Sequence, residues 1–137
     1  MSISQFQGLV AAAFAALVVS MSPQARAAEP VKVGLILPMS GPFASTGKEI
    51  EAAVRVYQKK YGDSVAGRTV EIILKDDGGT QPDVTKRLAQ ELVTKDHVQI
   101  LAGFGLTPLA LAAAPIATQA KVPMVVMAAA TSIIPTK

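Results

Sequence analysis

Short apolar runs alternate with stretches of helical periodicity from Val31 to Ala128, and this alternation restricts the fold more than any other feature of the chain. The first repeat of the pattern carries the most information. Val31 to Leu37 (VKVGLIL) is nearly continuous in apolar, partly β-branched residues, as expected of a strand covered on both faces in a parallel sheet. Pro38 and the Gly41-Pro42 pair end it. Thr46-Gly47-Lys48-Glu49 has the spacing of a capping box. In that motif the Thr46 hydroxyl accepts from amide 49 and Glu49 reaches back to amide 46. Ile50, Ala53, Val54 and Tyr57 then recur at one face of a helix, and Gly62 fits its C-terminal end.

The same grammar continues. Thr69 to Lys75 (TVEIILK) predicts a second strand, and Asp76-Asp77-Gly78-Gly79 a surface turn. Thr80 is placed to cap a second helix, with Pro82 in its first turn and Asp83 at the positive end of its dipole. Val84, Leu88, Ala89, Leu92 and Val93 give that helix an apolar face. Val98 to Gly103 predicts the third strand. Thr107 as N-cap and Pro108 behind it open a third helix to about Ala120. That helix is almost wholly apolar, so it is expected to be largely covered, and kinked at Pro115. Val122 to Ala128 predicts the fourth strand, and Ile133 the start of another element. Right-handed crossovers turn this order into an α/β fold, a parallel sheet with helices on both faces and strand order 2-1-3-4. The loops 38–47, 103–107 and 128–132 then converge at the switch point between the first and third strands, where open α/β sheets bind ligands.

Residues 1–27 are expected to be a signal peptide. Gly8 to Met21 is apolar but shorter than the ~18 residues of a membrane span. Ala25-Arg26-Ala27 fits the small-x-small rule, which places cleavage after Ala27 or Ala28. Removing this segment takes away one arginine and leaves a net charge of +2. No Lys/Arg cluster with interleaved aromatics occurs, so no nucleic-acid partner is expected. The chain has no cysteine, which suits an exported protein built without disulfides. About 110 residues remain, enough for one small α/β lobe.

Enzyme signatures are nearly absent. The lone histidine, His97, falls at the end of the sheet opposite the switch point and reads as a surface or capping residue. No G-x-S-x-G, H-E-x-x-H or G-K-[ST] motif is present. Gly41 and Gly47 are too far apart for a dinucleotide fingerprint, and Gly103-Phe104-Gly105 lacks its third position. No cofactor or metal is expected. What the pattern does supply is hydroxyls on the converging loops: Ser40, Ser45, Thr46, Thr107, Thr131 and Ser132. Helix N-termini at Thr46 and Thr107 would aim amides at the same place, an arrangement suited to a carboxylate. Taken singly, Thr46 and Thr107 are equally well explained as helix caps.

Several blocks together resemble one family: VKVGLILPMSGPFASTGKE, VEIILKDDGGTQPDVTKRLAQELV, ILAGFGLTPLALAAAPIATQAKVPMV and the MAAATS loop. They are similar to type I periplasmic solute-binding proteins of ABC importers, above all the branched-chain amino-acid (leucine/isoleucine/valine) branch. The resemblance covers essentially all of residues 28–137. It implies that 28–137 is the N-terminal part of the first lobe of a two-lobed protein, with the hinge and second lobe outside this sequence. It implies a periplasmic location, a small-molecule solute such as an amino acid or an aromatic carboxylate, and ABC permease subunits at the inner membrane as partners. By position, Thr107 would hold the ligand carboxylate, and Ala129 and Thr131 would serve its carboxylate and ammonium. Thr46 would stand where relatives often place an aromatic residue, and Phe104 lies in a loop where the amino-acid binders are richer in serine. Two other classes stay open at this point: a ligand-sensing regulator of the same fold, and a Rossmann-type oxidoreductase.

Overall fold

The computed structural model describes residues 28–131 and 133. The expected signal peptide, Ser132 and any element after Ile133 lie outside them. The chain runs β1 (Val31–Leu37), α1 (Ala44–Tyr61), β2 (Ser64–Val65), β3 (Arg68–Asp76), α2 (Pro82–Thr94), β4 (Ile100–Gly103), α3 (Thr107–Ala120) and β5 (Met124–Val126). The sheet has the order β2-β3-β1-β4-β5. Leaving aside β2, this is the expected 2-1-3-4 order, with all three of its pairings parallel. The β1–β3 register runs from Val31 opposite Val70 to Leu37 opposite Asp76, so both strands end at one edge.

The unexpected element is β2, a two-residue strand antiparallel to the start of β3. Its turn places Ala66 at φ 52° and Gly67 at φ 77°. Two consecutive positive φ values match the twist of a tight hairpin. An Ala-Gly pair gives little advance notice of it, because alanine seldom adopts that conformation.

Side chains alternate across the sheet, as pleating requires. Leu35 and Leu37 join Ala102, Ile50, Val54, Ile72 and Leu74 on the α1 face. Ile36 points the other way, into a core with Leu88, Leu92, Leu101 and Phe104 beneath α2 and α3. Gly34 shares that second face. A Cβ there would lie 2.8 Å from Leu92 Cδ1, so its lack of a side chain sets how closely α2 approaches β1.

Three helix starts differ from expectation. α1 begins before Thr46, with Phe43 as N-cap and no side-chain capping bond. Thr46 therefore sits in the first turn and the capping box does not form. α2 is preceded by Gln81 rather than Thr80, again without a side-chain cap, while Asp83 does lie in the first turn. α3 is preceded by an extended Leu106, which makes Thr107 its first helical residue. In each case the tertiary contacts of the preceding loop decide the entry angle, so the local side-chain cap is not used. The third helix runs through Pro115 without interruption. Only Leu109, Ala110, Ala113 and Ala117 are buried in it. Pro115 lies on the exposed side, so the helix is covered along one stripe and not all round. Tyr57 also departs from its expected buried face: it is 63% exposed and packs on Tyr61, ring centroids 4.8 Å apart.

Candidate ligand site at the carboxyl edge of the sheet

Strands β1, β3, β4 and β5 are parallel and deliver their following loops to one edge. Pro38, fully buried, is the hub of that edge. A Cβ on Gly47, in the first turn of α1, would lie 2.1 Å from the Pro38 carbonyl oxygen. One on Gly79 would lie 2.8 Å from Pro38 Cβ, and one on Gly105 2.9 Å from Pro38 Cγ. The first turn of α1, the β3–α2 turn and the β4–α3 loop thus close on one proline at distances only glycine permits.

The Asp-Asp-Gly-Gly turn holds these loops. Asp76 Oδ1 accepts from the amides of Met39 at 2.9 Å, Ser40 at 3.2 Å and Gly78 at 2.9 Å. Burial raises the Asp76 pKa. The Ser40 hydroxyl and the Gly78, Met39 and Ser40 amides together outweigh that, and the carboxyl rests below its ordinary value. Asp77 points inward and is only 1% exposed. It accepts from the Thr85 hydroxyl at 2.9 Å and the Gly79 amide at 3.0 Å. The expected surface turn is therefore half wrong: Asp77 is a buried structural carboxylate. Asp76-x-Gly78 and Asp77-x-Gly79 form two overlapping turns, each with a carboxylate bonded to the amide two residues on. That spacing is visible in the sequence.

On the other side of Pro38, Gly103 takes φ 112° and Phe104 φ 67°. This unusual pair turns the chain from β4 toward α3 and lets the Phe104 amide donate to Ile36 O at 2.9 Å. The Phe104 side chain is fully buried within the core under α2 and α3, so its ring anchors the loop from below. The segment after β5 is tied on by the Met127 amide to Gly103 O, 2.8 Å, and the Ala129 amide to Phe104 O, 3.1 Å. Thr107 Oγ1 donates to Ala130 O at 3.5 Å. Thr131 Oγ1 accepts from the Ile133 amide at 3.3 Å.

Of the five residues singled out from sequence, Phe104, Thr107, Ala129 and Thr131 therefore belong to one connected pair of loops. Thr46 is half-buried on the α1 turn beside them and is linked to the group through Gly47 and Pro38. In the first turn of α1 the Ala44 and Gly47 amides bond to Gly41 O and Phe43 O, in that of α3 the Leu109 and Ala110 amides both bond to Leu106 O, and Pro108 has no N–H, so the amides left for a ligand are those of Ser45, Thr46 and Thr107. This edge offers amides and hydroxyls, the donors that suit an anion. Among the described residues no group of three or more His, Asp or Glu side chains is placed to hold a metal ion. His97 is an exposed residue at φ 54° in the turn between α2 and β4, at the opposite end of the strands.

The profile of the family described as "Periplasmic binding protein" matches residues 30–136. A Leu/Ile/Val-binding protein homolog from Brucella abortus (strain 2308) is 50% identical over 120 residues, 88% of this chain and 31% of the relative. A solute-binding protein of an ABC transporter from Rhodopseudomonas palustris BisB5, solved with 3,4-dihydroxybenzoic acid, is 63% identical. It superposes with a TM-score of 0.76 over 79% of this chain and 29% of its own. Another from Rhodopseudomonas palustris, solved with 4-hydroxybenzoate, is 44% identical with a TM-score of 0.75, over 78% of this chain and 29% of its own. The chain thus spans less than a third of the length of these relatives. Family profile, relatives and superpositions agree with the sheet order and the loop edge: the chain belongs to the periplasmic binding protein family.

Proposed function

We propose that residues 28–137 form the N-terminal part of the first lobe of an ABC-importer solute-binding protein, which captures a small carboxylate-bearing solute in the periplasm. One observation carries this reading. The N-termini of α1 and α3, the Thr107 hydroxyl and the 127–131 loop lie at one edge, and the bonds from Ala129 to Phe104 and from Thr107 to Ala130 tie the last two loops together. The hydroxyl and amide of Thr107 would receive the carboxylate, with Ala129 and Thr131 alongside and Thr46 on the first turn of α1. Capture would proceed by closure of a second lobe over the ligand, with no bond made or broken. Permease subunits would then accept the loaded protein. Residues 1–27 would serve as the export signal.

Within that class we favour an aromatic carboxylate of the hydroxybenzoate type. The two Rhodopseudomonas relatives at 63% and 44% identity hold such compounds. The carboxylates this edge supplies also support it. Asp76 Oδ1 is engaged by three amides in holding the loops, and Asp77 is buried against Thr85, so both carboxylates have structural partners. The second reading, a branched-chain amino acid, draws on the Leu/Ile/Val-binding homolog at 50% identity and needs an acidic partner from the other lobe. Titration calorimetry of the intact native protein with 4-hydroxybenzoate, 3,4-dihydroxybenzoate and leucine separates the two. Tight binding of the benzoates with none of leucine is expected, and the converse would reverse the choice. Uptake of labelled ligand by cells lacking the gene, with the permease genes expressed constitutively, distinguishes import from sensing: transport then falls if the protein feeds the permease and is kept if it only regulates expression.

A further inference from the structure

We infer that Asp76 is a positioning residue for the ligand: its carboxylate locks the β1–α1 loop against the β3–α2 turn and so fixes where α1 begins. This rests on the ligand-binding role proposed above, but the lock itself stands on geometry alone. Asp76 ends β3 directly opposite Leu37, the last residue of β1. Beyond that pair the two chains have no ladder to hold them. The Asp77 amide makes one more bond, to Leu37 O at 3.2 Å. From there one carboxylate oxygen takes over, gathering the Met39 and Ser40 amides from one loop and Gly78 from the other. The Ser40 hydroxyl reaches the same carboxylate.

The packing brings the two loops together just beyond the lock. Gly41 runs at φ 75°, and a Cβ there would lie 2.8 Å from Gly78 O. The two loops therefore touch backbone to backbone two residues past the lock. Three residues further on, α1 starts without a side-chain cap of its own. No side chain at Phe43 or Thr46 caps the helix; its start is held by the Ala44 amide on Gly41 O and by the contact of Gly47 with Pro38, both of which stand on the loop that Asp76 fastens. Losing the lock would let Thr46 and the first-turn amides of α1 wander, a conformational cost that the ligand would have to meet on binding. Because Asp76 touches the loop and not the ligand, its effect is one of preorganisation.

The test uses the intact native protein with Asp76→Ala and Asp76→Asn, and 4-hydroxybenzoate and leucine as probes. Each variant is assayed far below its urea midpoint, so loss of folded protein does not enter. Asp76→Ala should weaken binding of the preferred probe by roughly tenfold or more, and Asp76→Asn, which keeps an acceptor oxygen, should recover most of it. Amide hydrogen exchange should quicken in Asp76→Ala at Met39 and Ser40, while Thr85 and Leu101 keep their protection. Wild-type exchange at Met39 and Ser40 in Asp76→Ala would overturn the lock. Fast exchange there with wild-type affinity would overturn the positioning role. If the wild type binds neither probe, the transport reading fails, and exchange alone then decides the lock: loss of protection supports it and retention overturns it.

Discussion

At the scale of single residues, the structure changes what two substitutions should do. Thr107 opens α3 as its first helical residue and does not cap it. Among the described residues its hydroxyl makes one long contact, 3.5 Å to Ala130 O. Thr107→Val should therefore alter stability by only about 0.5 kcal/mol, less than the ~1 kcal/mol that a true cap would lose. Under the proposed role of Thr107 as a donor to the ligand carboxylate, its loss should still lower affinity by roughly 10- to 150-fold. Calorimetry and urea unfolding on the same preparations check both halves. Asp77 behaves in the opposite way. Its carboxylate is buried against Thr85 and Gly79, so Asp77→Ala should cost about 1–3 kcal/mol of stability by leaving the Gly79 amide without its acceptor and the Thr85 hydroxyl with only a long bond to Gln81 O, 3.4 Å. Asp77→Asn, which keeps an acceptor, should cost less. Asp76 adds a pH dependence. Its folded pKa lies below the ordinary carboxyl value of about 3.9, so its contribution is fully present above that value and is lost as the pH falls through the lowered one. Acid titration of the urea midpoint should show wild type losing stability below about pH 4 more steeply than Asp76→Asn. Equal slopes would show that the carboxylate's amide bonds contribute nothing net to folding.

At the scale of elements, the four parallel strands are legible in the sequence, while the two-residue β2 and the joints between the strands are not. Val31–Leu37 has the same bounds in sequence and structure, because a doubly covered strand is apolar along its whole length. The fourth strand contracts to Met124–Val126, since at the edge of the described sheet its apolar flanks need not be paired. Helix starts failed for a common reason. Thr46, Thr80 and Thr107 all match the local rule for a cap, yet each start is set by loops that only the fold brings together. The Asp76-Asp77 signal was present as two overlapping Asp-x-Gly spacings, but which side chain turns inward depends on the pleat of β3. Phe104 could not be told from a ligand contact by its position in a loop, and only burial places it in the core. The glycines around Pro38 are likewise silent in one sequence, and they yield a sharp prediction. In Gly47→Ala the new Cβ would meet the Pro38 carbonyl at 2.1 Å, against backbone that cannot yield. Although alanine is the better helix former by ~1 kcal/mol, the substitution should destabilise by 2 kcal/mol or more, roughly, as α1 is pushed from the sheet. A raised melting temperature for Gly47→Ala would mean that α1 does not seat on Pro38.

At the scale of the whole molecule, the two faces of the sheet are unequally covered. The α2/α3 side closes over a core in which Ile36, Leu92, Leu101 and Phe104 have almost no exposure. The α1 side holds one helix across a sheet of five strands. An apolar groove of about 370 Å³ lies there, lined by residues that include Ile50, Val54, Tyr57, Val65, Ile72 and Met127. Val125 and Met127 add exposed apolar surface beside β5, at 52% and 46% exposure, and Val56 and Tyr61 on α1 exceed 60%. Apolar surface gathered in this way is a driving force for association unless further structure covers it. A lobe of this size is also marginal by itself, because a small domain buries a smaller share of its surface. Residues 28–137 expressed alone should therefore self-associate in a concentration-dependent way, bind a hydrophobic dye and melt over a broad range. Adding the polypeptide that corresponds to the rest of the relatives' length should abolish all three. Light scattering coupled to size exclusion, with dye titration and thermal melts on both forms, decides the matter. A monomer of 28–137 with a sharp cooperative transition would show that the α1/α2/α3 sandwich is sufficient unaided and that its apolar face is tolerated in water.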